Sequence, residues 1–410
     1  MQLLPLARPF LIPAVVFCFL LAVFFDLAPR LSCPEEPWSL LPLPPFPSYL
    51  LHFIATIAVF TVLLALSNAP SAMLASLSFG LLPVTVDVAV VSPYELAAVA
   101  TALMAVLLHL RPHLVTRVVC MVFYALAAAW SPSVWIVPIL LISQDILYQK
   151  RPFRRWALWH LAMVATALAH LFAHAPMIKS VNGNPIRAMA THLVLSFDSL
   201  LVPWTTRLSD TMSLPFTIIV VLGAASACAL AVVLAYRSPC EASRLMAWGS
   251  VWFIASVLST AMLGSSRRAI LFPLIGLAFV LAAAFFWLWT WTRQWLARGS
   301  YRAVFGVGIG ALWLGLAALS ARRAHEWSSD ETALRLHCEA EMRFGYWEGA
   351  EEACNKALQR DENQVTTRYS LALSLRNLGR DKEAAWQVHQ ILEEHPDHSG
   401  ARKLLATIKE

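Results

Sequence analysis

From Ala269 to Thr292 the chain carries no charged side chain. A run of that length can leave water only by entering a bilayer or a very large core. Similar runs recur along the sequence. With about 20 apolar residues per span, helices are expected near 9–26, 49–67, 72–91, 95–110, 115–130, 134–148, 156–174, 214–236, 245–264, 269–292 and 303–320. Composition agrees, since 59% of residues are hydrophobic, only 14% are charged and the mean hydropathy is +0.62. This balance excludes a soluble globular protein and predicts a polytopic membrane protein with about 11 spans.

Lys and Arg outnumber Asp and Glu, 31 to 25. The excess collects in short loops, so it sets topology and does not mark a nucleic-acid site. With the N-terminus inside, the inner loops hold Arg8, Arg111, Arg117, Lys150, Arg151, Arg154, Arg155, Arg237, Arg244, Arg293, Arg298 and Arg302. The outer loops then hold only Arg30, Lys179, Arg187, Arg207, Arg267 and Arg268. An odd number of spans places the C-terminal tail outside. The apolar start near Pro9 to Phe25 lacks a small-x-small cleavage site and is read as a retained first span. In the longest outer loop, Ile186 to Val202 has helical apolar spacing, as an amphipathic helix on the outer face would. His192 and Asp198 on its polar edge are solvated face residues on this reading.

After Arg323 the sequence turns charged and polar. Gly345 recurs as Gly379, Ala350 as Ala384 and Leu358 as Leu392, a period of 34 that marks tetratricopeptide repeats. Ser328 and Glu331 have the spacing of a capping box at the first repeat helix. His398 to Lys409 reads as the polar capping helix. The predicted fold is therefore all-α: a helical membrane domain over 1–323 and a tetratricopeptide α-solenoid over 324–410. Two repeats and a cap fall short of the three or so that stand alone, so the array leans on another surface. Cys338 and Cys354 lie on the two helices of one repeat. A bridge in an oxidising compartment and two buried thiols are both open readings. No cysteine set has metal-ligand spacing, and no metal is expected.

Between the two apolar runs of Phe79 to His109 stand two carboxylates, Asp87 and Glu95. Ionisable groups at membrane depth are costly and need a reason. For Glu95 the local reason is capping, because Ser92, Pro93 and Glu95 occupy the N-cap, first and third helical positions. Asp87 has no such local reason.

The stretch FGLLPVTVDVAVVSPYELAAV, Phe79 to Val99, resembles the membrane domain of the transmembrane-and-tetratricopeptide O-mannosyltransferases and their bacterial relatives, glycosyltransferases of the GT-C type. The resemblance continues through AAAWSPSVWIVPILLISQD, ending on Asp145, and SRRAILFPLIG, from Ser266 to Gly276. It extends to the lead-in ARRAHEWSSDETAL and, in weakened form, to SYLLHFIA with His52. Several polar positions of the family pattern differ: Leu82 and Thr85 stand for two histidines, Asp87 for a glutamate, Ser131 to Val134 for S-K-E-T and Arg267 for a glutamate. The paired acidic motif of the first outer loop is represented by Asp26 alone.

What the resemblance implies is a transferase that uses a polyprenyl-phosphate sugar as its lipid donor and a protein or glycan hydroxyl as acceptor at the outer face. A carboxylate would take the acceptor proton and cations would hold the donor phosphate. Asp26 and Asp87 are then the candidate catalytic acids, and Arg267, Arg268 and Glu95 the candidate substrate-binding residues. The other reading of Asp26 is an interfacial helix end, of Asp87 a satisfied buried carboxylate, and of Arg268 an ion-pair partner of Asp87 or Glu95. The expected partners are membrane lipid and a protein partner or acceptor at the repeats. The expected place is a bacterial inner membrane with the repeats in the periplasm. The alternative is a catalytically inactive relative, a membrane scaffold whose repeats bind a partner protein.

Overall fold

The computed structural model describes residues 48–67, 69–81, 85, 88, 93–111, 113–149, 153–174, 226, 229, 233, 240–262, 271–295, 300–328, 330–344 and 347–408. Among these residues the chain is all-helical, with no strand. It divides into two compact units, one ending at Ala321 and one running on from Arg322.

In the first unit the elements are α1 (Ser48–Leu66), α2 (Ala69–Gly80), α3 (Pro93–His109), α4 (Leu114–Trp130), α5 (Val137–Gln144), α6 (Phe153–His174), α7 (Glu241–Met262) and α8 (Leu271–Trp295). A 3-10 turn, Pro132–Ile136, leads into α5, and a π turn, Asp145–Gln149, leaves it. The span expected over 134–148 is thus three short elements, because Pro132 and Pro138 each remove a backbone donor from a continuing helix. Within this unit α1 packs on α2 and α3, α3 on α4, and α8 on α7 and α2.

One described helix segment, Leu271–Leu288, is both long and apolar enough to cross a bilayer by itself. Shorter apolar helices cover Leu50–Leu66, Pro93–His109, Leu114–Trp130, Ser133–Tyr148 and Ala157–Ala169. The described residues therefore carry the all-helical architecture but not a count of about 11 spans.

Two of the shorter helices are inverted relative to a helix that faces water. α4 buries Arg117, Cys120 and Tyr124 while exposing Leu114, Val115, Val118 and Val122. α6 likewise buries His160 while Leu158 is 84% and Leu161 64% exposed. On these two helices the polar groups lie inside and the aliphatic groups outside.

The α7 and α8 helices cross at a pair of glycines. A Cβ on Gly276 would lie 2.5 Å from the Phe253 nitrogen and 2.9 Å from the Gly249 carbonyl oxygen. Trp248, Trp252 and Phe279 fill the space beside the crossing, and Trp248 stacks on Phe279 at 5.2 Å. Trp248 Nε1 donates to the Leu140 carbonyl oxygen at 3.2 Å, which ties α7 to α5. Gly276→Ala is expected to cost about 1–3 kcal/mol by overpacking. A shift of the unfolding midpoint in detergent checks it, and an unchanged midpoint would contradict this crossing.

α9 (Ser300–Ser328) runs without a break through the end of the first unit. It includes Ser328, while the cap expected from Ser328 and Glu331 lies at side chains outside the described residues. The second unit continues with α10 (Asp330–Phe344), α11 (Trp347–Arg360), α12 (Val365–Asn377), α13 (Asp381–Glu394) and α14 (Ser399–Leu405). Each of these helices packs on the next, and α10 also reaches α12, which is repeat-like helix-pair stacking. Gly379, at φ 78°, lets Arg380 N–H reach the Leu375 carbonyl oxygen at 2.9 Å and close α12 in a Schellman turn.

Cys338 on α10 and Cys354 on α11 form a disulfide, with Cα atoms 4.8 Å apart. Both are fully buried beside Ala353, Leu371, Ala372 and Leu375. Among the exposed side chains Arg380 bridges Glu351 of α11 to Glu383 of α13 and holds the Glu383 carboxyl below the usual carboxylate range. A depressed carboxyl contributes stability above its ordinary pKa and loses it as pH falls. Acidification through the carboxylate range is therefore expected to loosen this corner, and Arg380→Ala to flatten that part of the pH profile of exchange in α13.

Candidate functional site

Two groups of buried polar side chains interrupt the apolar first unit. The first lies where α2 ends. His52, in the opening turns of α1, is fully buried, with Nε2 3.0 Å from the Gly80 carbonyl oxygen. Thr56 Oγ1 donates to the His52 carbonyl oxygen at 2.9 Å, which is the ordinary way for a helical threonine to satisfy its hydroxyl. Ser320, near the end of α9, donates its Oγ to the Leu81 carbonyl oxygen at 2.6 Å. Thr85, at one of the positions where the family pattern has a histidine, is fully buried.

Glu95 is 5% exposed in the first turn of α3, a helix that packs on α1. Here the carboxylate is withdrawn into the bundle, where a charged group is stable only with polar or cationic company. Asp26, Asp87, Arg267 and Arg268 lie outside the described residues, as do His192 and Asp198.

The second group was not foreseen as a site. His109 ends α3, Asp145 opens the π turn and His160 lies on α6. His109 Nε2 is 3.1 Å from Asp145 Oδ1, and His160 Nε2 is 3.0 Å from Oδ2. Their side chains are 0%, 7% and 4% exposed, so one carboxylate is shared by two imidazoles in an apolar interior. The fully buried Arg117 guanidinium lies 5.9 Å from the Trp159 ring centre, within cation–π range. A signal for this group was available: residues 109 and 145 fall near the close of an expected span and 160 near the opening of the one that follows 145. Each alone reads as an interfacial residue, and only their meeting makes a cluster.

Both imidazoles direct Nε2 at the carboxylate and do not converge with it on a shared centre. Among the described residues no group of three His, Cys, Asp or Glu side chains is arranged to hold a metal ion. Chemically, the first group can order a helix end. The second can pin three elements together.

Against family models, curated proteins and solved structures the chain finds no match.

Proposed function

We propose that the chain is a polytopic membrane glycosyltransferase of GT-C type, moving a sugar from a polyprenyl-phosphate donor to a protein or glycan hydroxyl at the outer face. One observation carries the reading: Glu95 keeps a carboxylate 5% exposed within a mostly apolar helix, in the stretch that also bears Asp87. An ionisable group at membrane depth has functional use as its default explanation. Residence in a bilayer is supported by the outward aliphatic faces of α4 and α6. About 11 spans, an inside N-terminus and an external repeat unit complete the reading, and the Cys338–Cys354 bridge fits an oxidising periplasm.

In this scheme Asp26 and Asp87 are the catalytic acids. One of them takes the acceptor proton as the hydroxyl attacks the anomeric carbon, and the lipid phosphate departs with the bonding electrons. Arg267 and Arg268 hold that phosphate, and Glu95 orders the sugar or the arginines. The repeat unit holds the acceptor or a protein partner.

The second reading is an inactive membrane scaffold whose repeats bind a partner. It is favoured by Thr85, a fully buried hydroxyl where the family pattern has an imidazole. The two are separated by transfer from a radiolabelled polyprenyl-phosphate sugar to a peptide acceptor in proteoliposomes. On the transferase reading, Asp26→Asn or Asp87→Asn lowers kcat by about 100-fold or more, the scale of a lost general base. Arg268→Ala and Glu95→Gln chiefly raise the KM for the donor. Absence of both donor binding and transfer by the unaltered protein hands the function to the scaffold.

A further inference from the structure

A disulfide is made or broken when a third sulfur reaches one of its two sulfurs, because thiol–disulfide exchange passes through a mixed disulfide. In the repeat unit that approach is closed, since Cys338 and Cys354 are both fully buried. They belong to one packed core with Leu371, Ala372 and Leu375 of α12 and Ala384 and Val388 of α13. The helix α12 packs on both α10 and α11, which carry the two cysteines.

α10 enters this core through Cys338, while its other buried members lie on α11 to α14 and the tail beyond. The bridge is therefore the covalent tie between α10 and the core that the later helices share. A shielded bond of this kind exchanges at the rate its opened form allows. In stacked helices the openings that cost least release one or two elements and not the whole array.

We propose that the Cys338–Cys354 bridge is made and broken only in an opened repeat unit, with α12 lifted from the α10–α11 pair. The redox partner of this chain is then a dithiol–disulfide carrier that acts during assembly, and the closed unit ignores ambient thiols. In the making step the two cysteine thiols give up two electrons and two protons as the S–S bond forms. The carrier's disulfide takes them up and leaves as a dithiol. This stands on the burial of the bridge and is independent of the transferase reading.

The test uses the full chain in lipid nanodiscs with dithiothreitol as the probe, followed by alkylation and mass spectrometry of the peptides that bear Cys338 and Cys354. Dithiothreitol closes to its cyclic disulfide as the two cysteines are released as thiols. Reduction in buffer is expected to be about 100-fold or more slower than in the urea-unfolded chain, the scale of a sub-global opening. Leu375→Ala, which leaves a gap where α12 covers the core, is expected to speed reduction by about tenfold or more. Leu312→Ala, at an exposed position of α9, leaves the rate unchanged. Reduction of the unaltered chain as fast as in urea overturns the proposal, as does an unaltered rate in Leu375→Ala. If Leu375→Ala fails to fold, urea below the unfolding midpoint decides with the unaltered chain. Reduction then rises together with amide exchange in α12, and a rate that stays flat while α12 opens overturns the proposal. Two free thiols at these positions in the untreated protein overturn it as well.

Discussion

Asp145→Ala is expected to destabilise the first unit by about 1–3 kcal/mol for each buried imidazole N–H left without its acceptor. The physical reason is the sharing of one carboxylate by His109 and His160, both almost fully buried. Without it, two imidazoles face an apolar interior with their shared acceptor gone, and the π turn at Asp145–Gln149 loses the contacts that hold its first residue. Unfolding of the reconstituted chain by a denaturing detergent measures the loss. The triple replacement Asp145→Leu, His109→Leu and His160→Leu is expected to recover most of it, because replacing all the partners of a buried hydrogen-bonded group by apolar side chains leaves no polar atom unsatisfied. If Asp145→Ala alone unfolds like the parent, the cluster contributes nothing and its geometry is incidental.

The second large effect belongs to the repeat unit. Cys338 and Cys354 close a loop with a sequence separation of 16, for which a cross-link stabilises by about 3 kcal/mol in the chain-entropy account. Cys338→Ser with Cys354→Ser adds the burial of two hydroxyls at positions that are fully enclosed. The combined loss is expected to fall on α10 and α11, because in stacked repeats each helix leans chiefly on its neighbours. Exchange in α10 and α11 should approach that of unfolded chain, while α12 to α14, closed by the Gly379 turn, keep most of their protection. Equal loss across all five helices would show the unit to be one cooperative block.

Much of the repeat unit was legible because its signal is periodic. Gly379 recurs one repeat after Gly345, and the structure puts Gly379 at positive φ, where glycine alone is unstrained. The apolar helices were legible from length, but their interruptions were not equally so. A run such as 134–148 reads as one span by hydropathy, whereas Pro132 and Pro138 divide its backbone between 3-10, α and π geometry. Glu95 illustrates another limit. Its spacing from Ser92 announces a cap, and spacing says nothing of whether the cap faces water or the bundle.

From the sequence alone came apolar helices, a change to a charged, repeating segment after Arg323 and the choice of Glu95 as a residue to watch, because local composition and periodicity carry that information. Tertiary structure decided the rest: that His109, Asp145 and His160 meet, that His52 and Ser320 close on neighbouring carbonyls, and that Gly249 and Gly276 bring two helices together. These contacts join residues up to 239 positions apart. Nothing in a local pattern encodes such a pairing, because it is chosen by how the helices fill space around one another.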